Sequence, residues 1–197
     1  MQASPRDYIT VVSGLPRSGT SLMMQMLAAG GVPPLTDNLR APDENNPHGY
    51  FEFDPVKRLR TDQSWLEQAR GHAVKIIHLL VRELPTNDRF RYRVILMRRA
   101  MEEILASQRV MLERQGKKSA DEAALARIYK AQLSGLTDWL EAHGEFSFLS
   151  INYRQLLENP GPVIRSIDNF LGGGLNVAAM ASAVDPALYR QRANPDG

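Results

Sequence analysis

YITVVSGLPRSGTSLMMQMLAAGG, residues 8–31, decides the fold. Residues 8–13 form a short β-branched run that closes on Gly14, the pattern of a buried strand. From Gly19 to about Ala29, Leu22, Met23, Met26 and Leu27 recur at helical spacing, and Gly30-Gly31 followed by Pro33-Pro34 stops the helix. Between strand and helix lies a turn that carries two glycines, an arginine and three hydroxyls. Working outward, residues 32–50 are rich in Pro, Asn and Asp and read as a long surface excursion, the kind of loop that tends to be functional. The pattern then predicts a helix over 55–69, strands over 74–80 and 93–97, helices over 101–113 and 121–142, and a strand over 146–151. Helices over 163–171 and 177–183 follow, separated by Gly172-Gly173-Gly174. Strands alternating with helices require crossovers and hence a mostly parallel sheet covered on both faces. The expected fold class is α/β: a three-layer, P-loop-type fold with a mostly parallel central sheet flanked by helices, one domain over 1–197.

The turn itself is Gly14-x-x-x-x-Gly19-Thr20-Ser21. In this architecture backbone N–H groups and a helix N-terminus converge on an anion, and the glycines permit close approach. Triphosphate-binding loops place a lysine after the second glycine; here that position is Thr20, and the cation sits inside the loop as Arg17. Without the lysine, a nucleotide kinase or NTPase lacks the group that reaches the β- and γ-phosphates. A plain strand-to-helix corner would use glycine and serine as caps, with no need of Arg17 or of Ser18, Thr20 and Ser21 together. An anion site uses them all.

Composition narrows the classes. A chain of 197 residues, 43% hydrophobic, can bury one substantial core. A formal charge of +2 with basic residues spread along the chain points away from nucleic acid and from membrane surfaces, and toward a local site for a small anion. There are no cysteines, so disulfides and thiolate metal sites are excluded. The four histidines, His48, His72, His78 and His143, lack HExxH or comparable ligand spacing, so no metal site is expected. The first apolar run is too short for a signal h-region or a membrane span, which leaves a cytoplasmic protein without membrane insertion as the expectation.

Pro16-Arg17-Ser18-Gly19-Thr20-Ser21 resembles the 5′-phosphosulfate loop of the sulfotransferases that use PAPS (3′-phosphoadenosine 5′-phosphosulfate). The resemblance implies that Arg17 contacts the 5′-phosphate and the transferring sulfuryl group, with Pro16, Ser18, Gly19, Thr20 and Ser21 completing the cradle. A second segment is similar to the family's 3′-phosphate motif: Arg99 at the end of a strand and Ser107 on the following helix. A strand-end guanidinium and a hydroxyl about two helical turns on can clasp one phosphate; Arg98, its neighbour, is turned elsewhere by strand alternation. A third, INYRQLLENP over 151–160, resembles the segment in which a tyrosine meets adenine, here Tyr153, although Arg154 stands where an acid is common. Leu22 replaces the tryptophan that stacks on adenine in the cytosolic branch. The ending around Arg190 and Arg192 looks like that of bacterial members; either could approach the 3′-phosphate, and a solvated basic tail explains them equally.

Sulfuryl transfer needs cations at the transferring oxygens and a base for the acceptor hydroxyl. Lys75, a charge on an otherwise apolar strand, is the expected second cation. The family's Lys-x-His motif is here Lys75-Ile76-Ile77-His78, one residue longer, so along a regular strand His78 faces away from Lys75. Glu52, in NPHGYFE over 46–52, is the other candidate base, by likeness to the Asn-Pro-x-Gly-aromatic-x-Glu segment of bacterial members; a helix N-terminal charge before Asp54-Pro55 is its plainer role. Glu52 ranks first, His78 second and His48 third. The resemblance therefore implies a PAPS-dependent sulfotransferase that releases PAP (3′-phosphoadenosine 5′-phosphate), requires no metal and acts on a small hydroxyl or amine acceptor. A nucleotide kinase or NTPase and a non-catalytic PAP- or PAPS-binding module are the alternatives. The chain is short for the family, so its acceptor pocket is either reduced or completed by a second subunit in a homodimer.

Overall fold

The structure, a computed structural model, describes residues 6–37, 49–117 and 121–185. Four strands, β1 (Ile9–Gly14), β2 (Ala73–Lys75), β3 (Tyr92–Arg98) and β4 (Phe146–Asn152), form one sheet in the order β2-β1-β3-β4. Every pair is parallel, with Val12 beside Lys75 and Ile95, and Arg98 beside Asn152. Helices α1 (Thr20–Ala29), α2 (Met101–Arg114), α3 (Glu122–Ala142), α4 (Tyr153–Glu158), α5 (Pro160–Phe170) and α6 (Val177–Ser182) supply the crossovers and flanking layers. The α/β class with a parallel sheet between helices is as the sequence implies.

Strand alternation sorts the core into two layers. Val12, Ile95, Met97 and Ile151 face α1, α5 and α6, where Met23, Met26, Leu27, Ile164, Ile167 and Met180 cover them. Val11, Val74, Val94 and Leu96 face the opposite way, toward Trp65, Leu66, Leu136 and Leu140. On that second face Tyr92 stacks on Phe146, ring centroids 4.5 Å apart, and its hydroxyl donates to the carbonyl of Pro85 at 3.3 Å. Burial pushes the Tyr92 phenol far above its usual range, because the phenolate would lose its hydration. The folded state thus holds Tyr92 neutral, whereas the unfolded chain ionises it near pH 10. Stability from this group is complete below about pH 10 and declines above it. In Tyr92→Phe, denaturant titrations between pH 9 and 11 should show a flatter alkaline decline than wild type; parallel declines would refute this account.

Three elements depart from the sequence pattern. The helix expected over 55–69 is two short 3₁₀ turns, Asp54–Arg58 and Ser64–Leu66. Asp62 explains the break: its carboxylate accepts from the backbone N–H and the hydroxyl of Ser64, at 3.0 and 2.7 Å, a local arrangement that competes with helix continuation. The strand expected over 74–80 ends at Lys75. One more ladder bond, Ile76 N–H to the Val12 carbonyl at 3.0 Å, closes the pairing, and the chain then turns at Leu80 N–H to the Ile77 carbonyl, 2.9 Å. Helix α4 lies between the strand expected over 146–151 and the helix expected over 163–171, where no element is predicted; Asn152 caps it by accepting from Gln155 N–H at 3.1 Å.

Candidate active site

Because the sheet is parallel, the C-terminal ends of β1, β3 and β4 open on one edge, where ligands of open α/β sheets bind. The loop 14–19 follows β1, Arg99 follows β3, and Tyr153 follows β4, so three distant stretches of sequence meet there.

The loop is held tightly. A Cβ on Gly14 (φ 152°) would lie 2.5 Å from Ser18 Oγ and 2.8 Å from the Met97 carbonyl oxygen. Gly19 (φ 98°) stands at the N-cap of α1, and having no side chain it leaves the first-turn N–H groups without a cap bond of its own. Those donors, with the positive end of the helix dipole, are suited to an anion. Ser18 is 1% exposed, and its Oγ finds no partner among the described residues. Arg17 has φ 69°, in the left-handed region that non-glycine residues rarely adopt. Among the described residues only Phe51, at φ 50°, shares that condition, and it precedes Glu52.

Arg17 reaches out of the loop: its Nε donates to Ser107 Oγ at 2.9 Å, across to α2. Arg99 donates through Nη1 to the Arg17 carbonyl at 3.0 Å and through Nε to Glu103 at 2.8 Å. Its guanidinium carbon stands 4.7 Å from the centre of the Tyr153 ring, and that ring lies against Gly19, where an added Cβ would overlap it. Burial pushes the Tyr153 phenol above its usual range against the opposing pull of Arg99. Arg17, Ser107, Arg99 and Tyr153 therefore gather on the loop. Their wiring differs from a simple Arg99–Ser107 clasp: Ser107 is engaged by Arg17, and Arg99 braces the loop backbone. Arg98, next to Arg99 in the chain, has a buried Nη1 without a hydrogen-bond partner among the described residues.

On the α1 side, Lys75 Nζ donates to Ser21 Oγ at 3.2 Å and to the Tyr50 carbonyl at 2.6 Å. Lys75 thereby joins the first turn of α1 to the segment that carries Glu52. The Glu52 backbone is pinned in turn, its carbonyl accepting from Thr36 Oγ1 at 2.9 Å. His78 lies on the other layer: it is buried, its Nε2 pairs with Gln132 Oε1 at 2.9 Å, and its ring meets Tyr129 edge-on. Its Nδ1 has no partner among the described residues. Tyr129 in turn packs with Leu15 of the loop. Ile77 and Leu79, its neighbours along the chain, and Ile128, next to Tyr129, are each about half exposed. The structure thus brings Lys75 to the loop directly and His78 only through Tyr129 and Leu15. His48, Arg190 and Arg192 lie outside the described residues.

Glu103 was not legible as a site residue. Asp or Glu in a first helical turn usually answers the helix dipole at the surface, as Glu102 does here. The available signal was its i,i+4 spacing from Arg99.

No protein-family model and no curated protein matches the sequence. Among solved structures, the sulfotransferase domain of the olefin synthase of Synechococcus PCC 7002 superposes with a TM-score of 0.59 at 17% identity, covering 100% of this chain and 92% of that one. A sulfotransferase from Alicyclobacillus acidocaldarius gives 0.52 at 15% identity over 98% and 88% of the two chains. A mouse sulfotransferase, solved in complex with PAP, gives 0.52 at 16% identity over 98% and 69%. Among the described residues no helix is long and apolar enough to cross a membrane. The chain has the α/β fold of the sulfotransferases, with a glycine-bounded loop, Arg99 and Tyr153 at the edge where its parallel strands end.

Proposed function

We propose that the protein is a PAPS-dependent sulfotransferase acting on a hydroxyl or amine of a small acceptor. The observation that carries this reading is the loop whose cation, Arg17, is internal and bonded to Ser107, while Arg99 braces the same loop from the end of β3. Two arginines on one loop suit a ligand with two separate phosphate groups better than a triphosphate chain, which would want a lysine at Thr20. The N–H groups of the first turn of α1, with Ser18, Thr20 and Ser21, suit the 5′ end; Arg99 and Ser107 suit the 3′-phosphate; Tyr153 suits the base.

PAPS supplies a sulfuryl group: the acceptor oxygen or nitrogen bonds to sulfur as the bond from sulfur to the 5′-phosphate oxygen breaks, its electron pair leaving with PAP. The protein's part is to neutralise and align. Lys75, anchored between Ser21 and Tyr50, stands where a second cation would be held beside the loop. The acceptor's proton needs a base, and Glu52 ranks first because Lys75 ties its segment to the loop. His78 ranks second: its buried Nδ1 has no partner among the described residues, but the ring turns to α3, where Nε2 pairs with Gln132, rather than to Lys75. A cytoplasmic location, a single domain and a homodimer completing the acceptor site belong to the same proposal.

Calorimetric titration without Mg²⁺ tests the donor assignment. PAP should bind, and Arg17→Ala should weaken it by about 1.5–3 kcal/mol if the guanidinium hydrogen-bonds a phosphate. Tighter binding of ATP–Mg²⁺ than of PAP would overturn the reading in favour of an NTPase. Binding of PAP without turnover of PAPS, across a panel of phenols, alcohols and amines, would mark a binding module.

A further inference from the structure

Glu103 is 2% exposed, in the first turn of α2, while its neighbour Glu102 is at the surface. A carboxylate buried to that degree is costly, and an apolar residue of similar volume would serve stability as well or better. Beside a loop built for anions it is costlier still, since its charge opposes any phosphate or sulfate brought near. Its geometry says what it contributes. The Glu103 carboxylate takes Arg99 Nε at 2.8 Å, with both side chains nearly closed to solvent. A guanidinium is a rigid plane, so fixing Nε sets the directions of the other N–H groups. One of those, on Nη1, meets the Arg17 carbonyl at 3.0 Å, and the plane itself is set over Tyr153. Arg17 holds φ 69°, a left-handed conformation that is strained for a non-glycine residue and persists only where its surroundings impose it.

We propose that Glu103 is a positioning residue of the nucleotide site: its carboxylate fixes Arg99 and, through Arg99, the backbone of the loop at Arg17. The inference rests on the reading of this site as one for PAP and PAPS. It also makes the sign of the effect diagnostic. A carboxylate that acted through charge alone would repel the ligand, and removing it would tighten binding. A positioning carboxylate does the reverse.

The experiment titrates wild type, Glu103→Gln, Glu103→Asp and Glu103→Ala with PAP and with AMP, and records the arginine Nε–H resonances by NMR, Arg99 being assigned by its loss in Arg99→Lys. Glu103→Gln keeps shape and an acceptor oxygen, so it guards against failure to fold, and thermal melting checks each variant. PAP affinity should fall about tenfold in Glu103→Gln and further in Glu103→Ala, with Glu103→Asp recovering part of it. AMP, which lacks the 3′-phosphate, should lose less. The protected Arg99 Nε–H signal of the free protein should broaden or vanish in Glu103→Gln. Equal or tighter PAP binding in both Glu103→Gln and Glu103→Ala would overturn the proposal. If wild type itself fails to prefer PAP to AMP, the donor assignment falls. Glu103 is then judged by the Arg99 resonance in the free protein and by inorganic sulfate affinity, and no change in either would overturn it.

Discussion

Gly19→Ala should abolish measurable PAP binding and lower the unfolding free energy by about 2–4 kcal/mol. Two costs add at this position. The backbone sits at φ 98°, where an L-residue is strained by its own Cβ, and that Cβ would overlap the ring of the buried Tyr153, with Cε2 at 2.6 Å. The ring cannot yield easily, because Arg99 lies over it and Met97 is in contact with the same space. Relief must come from the loop, which would move the first-turn N–H groups of α1 off any bound anion. For a domain of this size the melting temperature should drop by about 4–16 °C. Gly19→Ala should lower the melting temperature less in a Tyr153→Leu background, where the overlap is gone, than in wild type. An equal drop in both backgrounds would show that the overlap is not the cause.

Arg99→Ala should be the most destabilising single change among the site arginines, by about 3–5 kcal/mol. The reason is Glu103. With the guanidinium gone, a carboxylate 2% exposed loses its Nε partner, and breaking a buried ion pair from one side is far costlier than losing a surface pair. The Arg17 carbonyl loses its donor in the same step. Arg99→Ala/Glu103→Ala should recover much of the stability in urea titrations while remaining defective in PAP binding. Equal stability of the single and double variants would show that the pair carries no such coupling. Arg17→Ala, by contrast, removes the donor to Ser107 from a partly exposed side chain, so its effect should fall on binding more than on folding.

How far the sequence led can be judged from these residues. Strand β1 and helix α1 were legible because the period of their apolar residues changes sharply at glycines, and the displaced cation at Arg17 drew attention to the loop between them. Strand β3 and Arg99 were legible for the same reason, an apolar run ending in charge. The run over 74–80 misled because a buried loop segment that carries Ile76 and His78 inward is as apolar as a strand; only the backbone turn at 77–80 distinguishes them. The helix over 55–69 misled because Asp62 and Ser64 bond to each other rather than to the helix, a choice that periodicity does not register. Most of the site's wiring was hidden: whether Ser107 pairs with Arg99 or with Arg17 depends on which way the loop backbone turns at Arg17. That turn is set by side chains far away in the chain.

The strand order has a consequence for how the molecule comes into being. β1, which carries the phosphate loop, sits between β2 and β3, so its ladder partners Ala73–Lys75 and Tyr92–Met97 are synthesised long after it leaves the ribosome. Until then an apolar strand has no neighbour, and parallel pairings across such long loops form slowly. The anion cradle is therefore among the last features to exist, and a nucleotide that needs it can bind only the finished sheet. On the proposed reading, PAP or PAPS at a hundred times its dissociation constant would add about 2.7 kcal/mol to the folded state, a stabilisation that reaches the finished sheet and not its assembly.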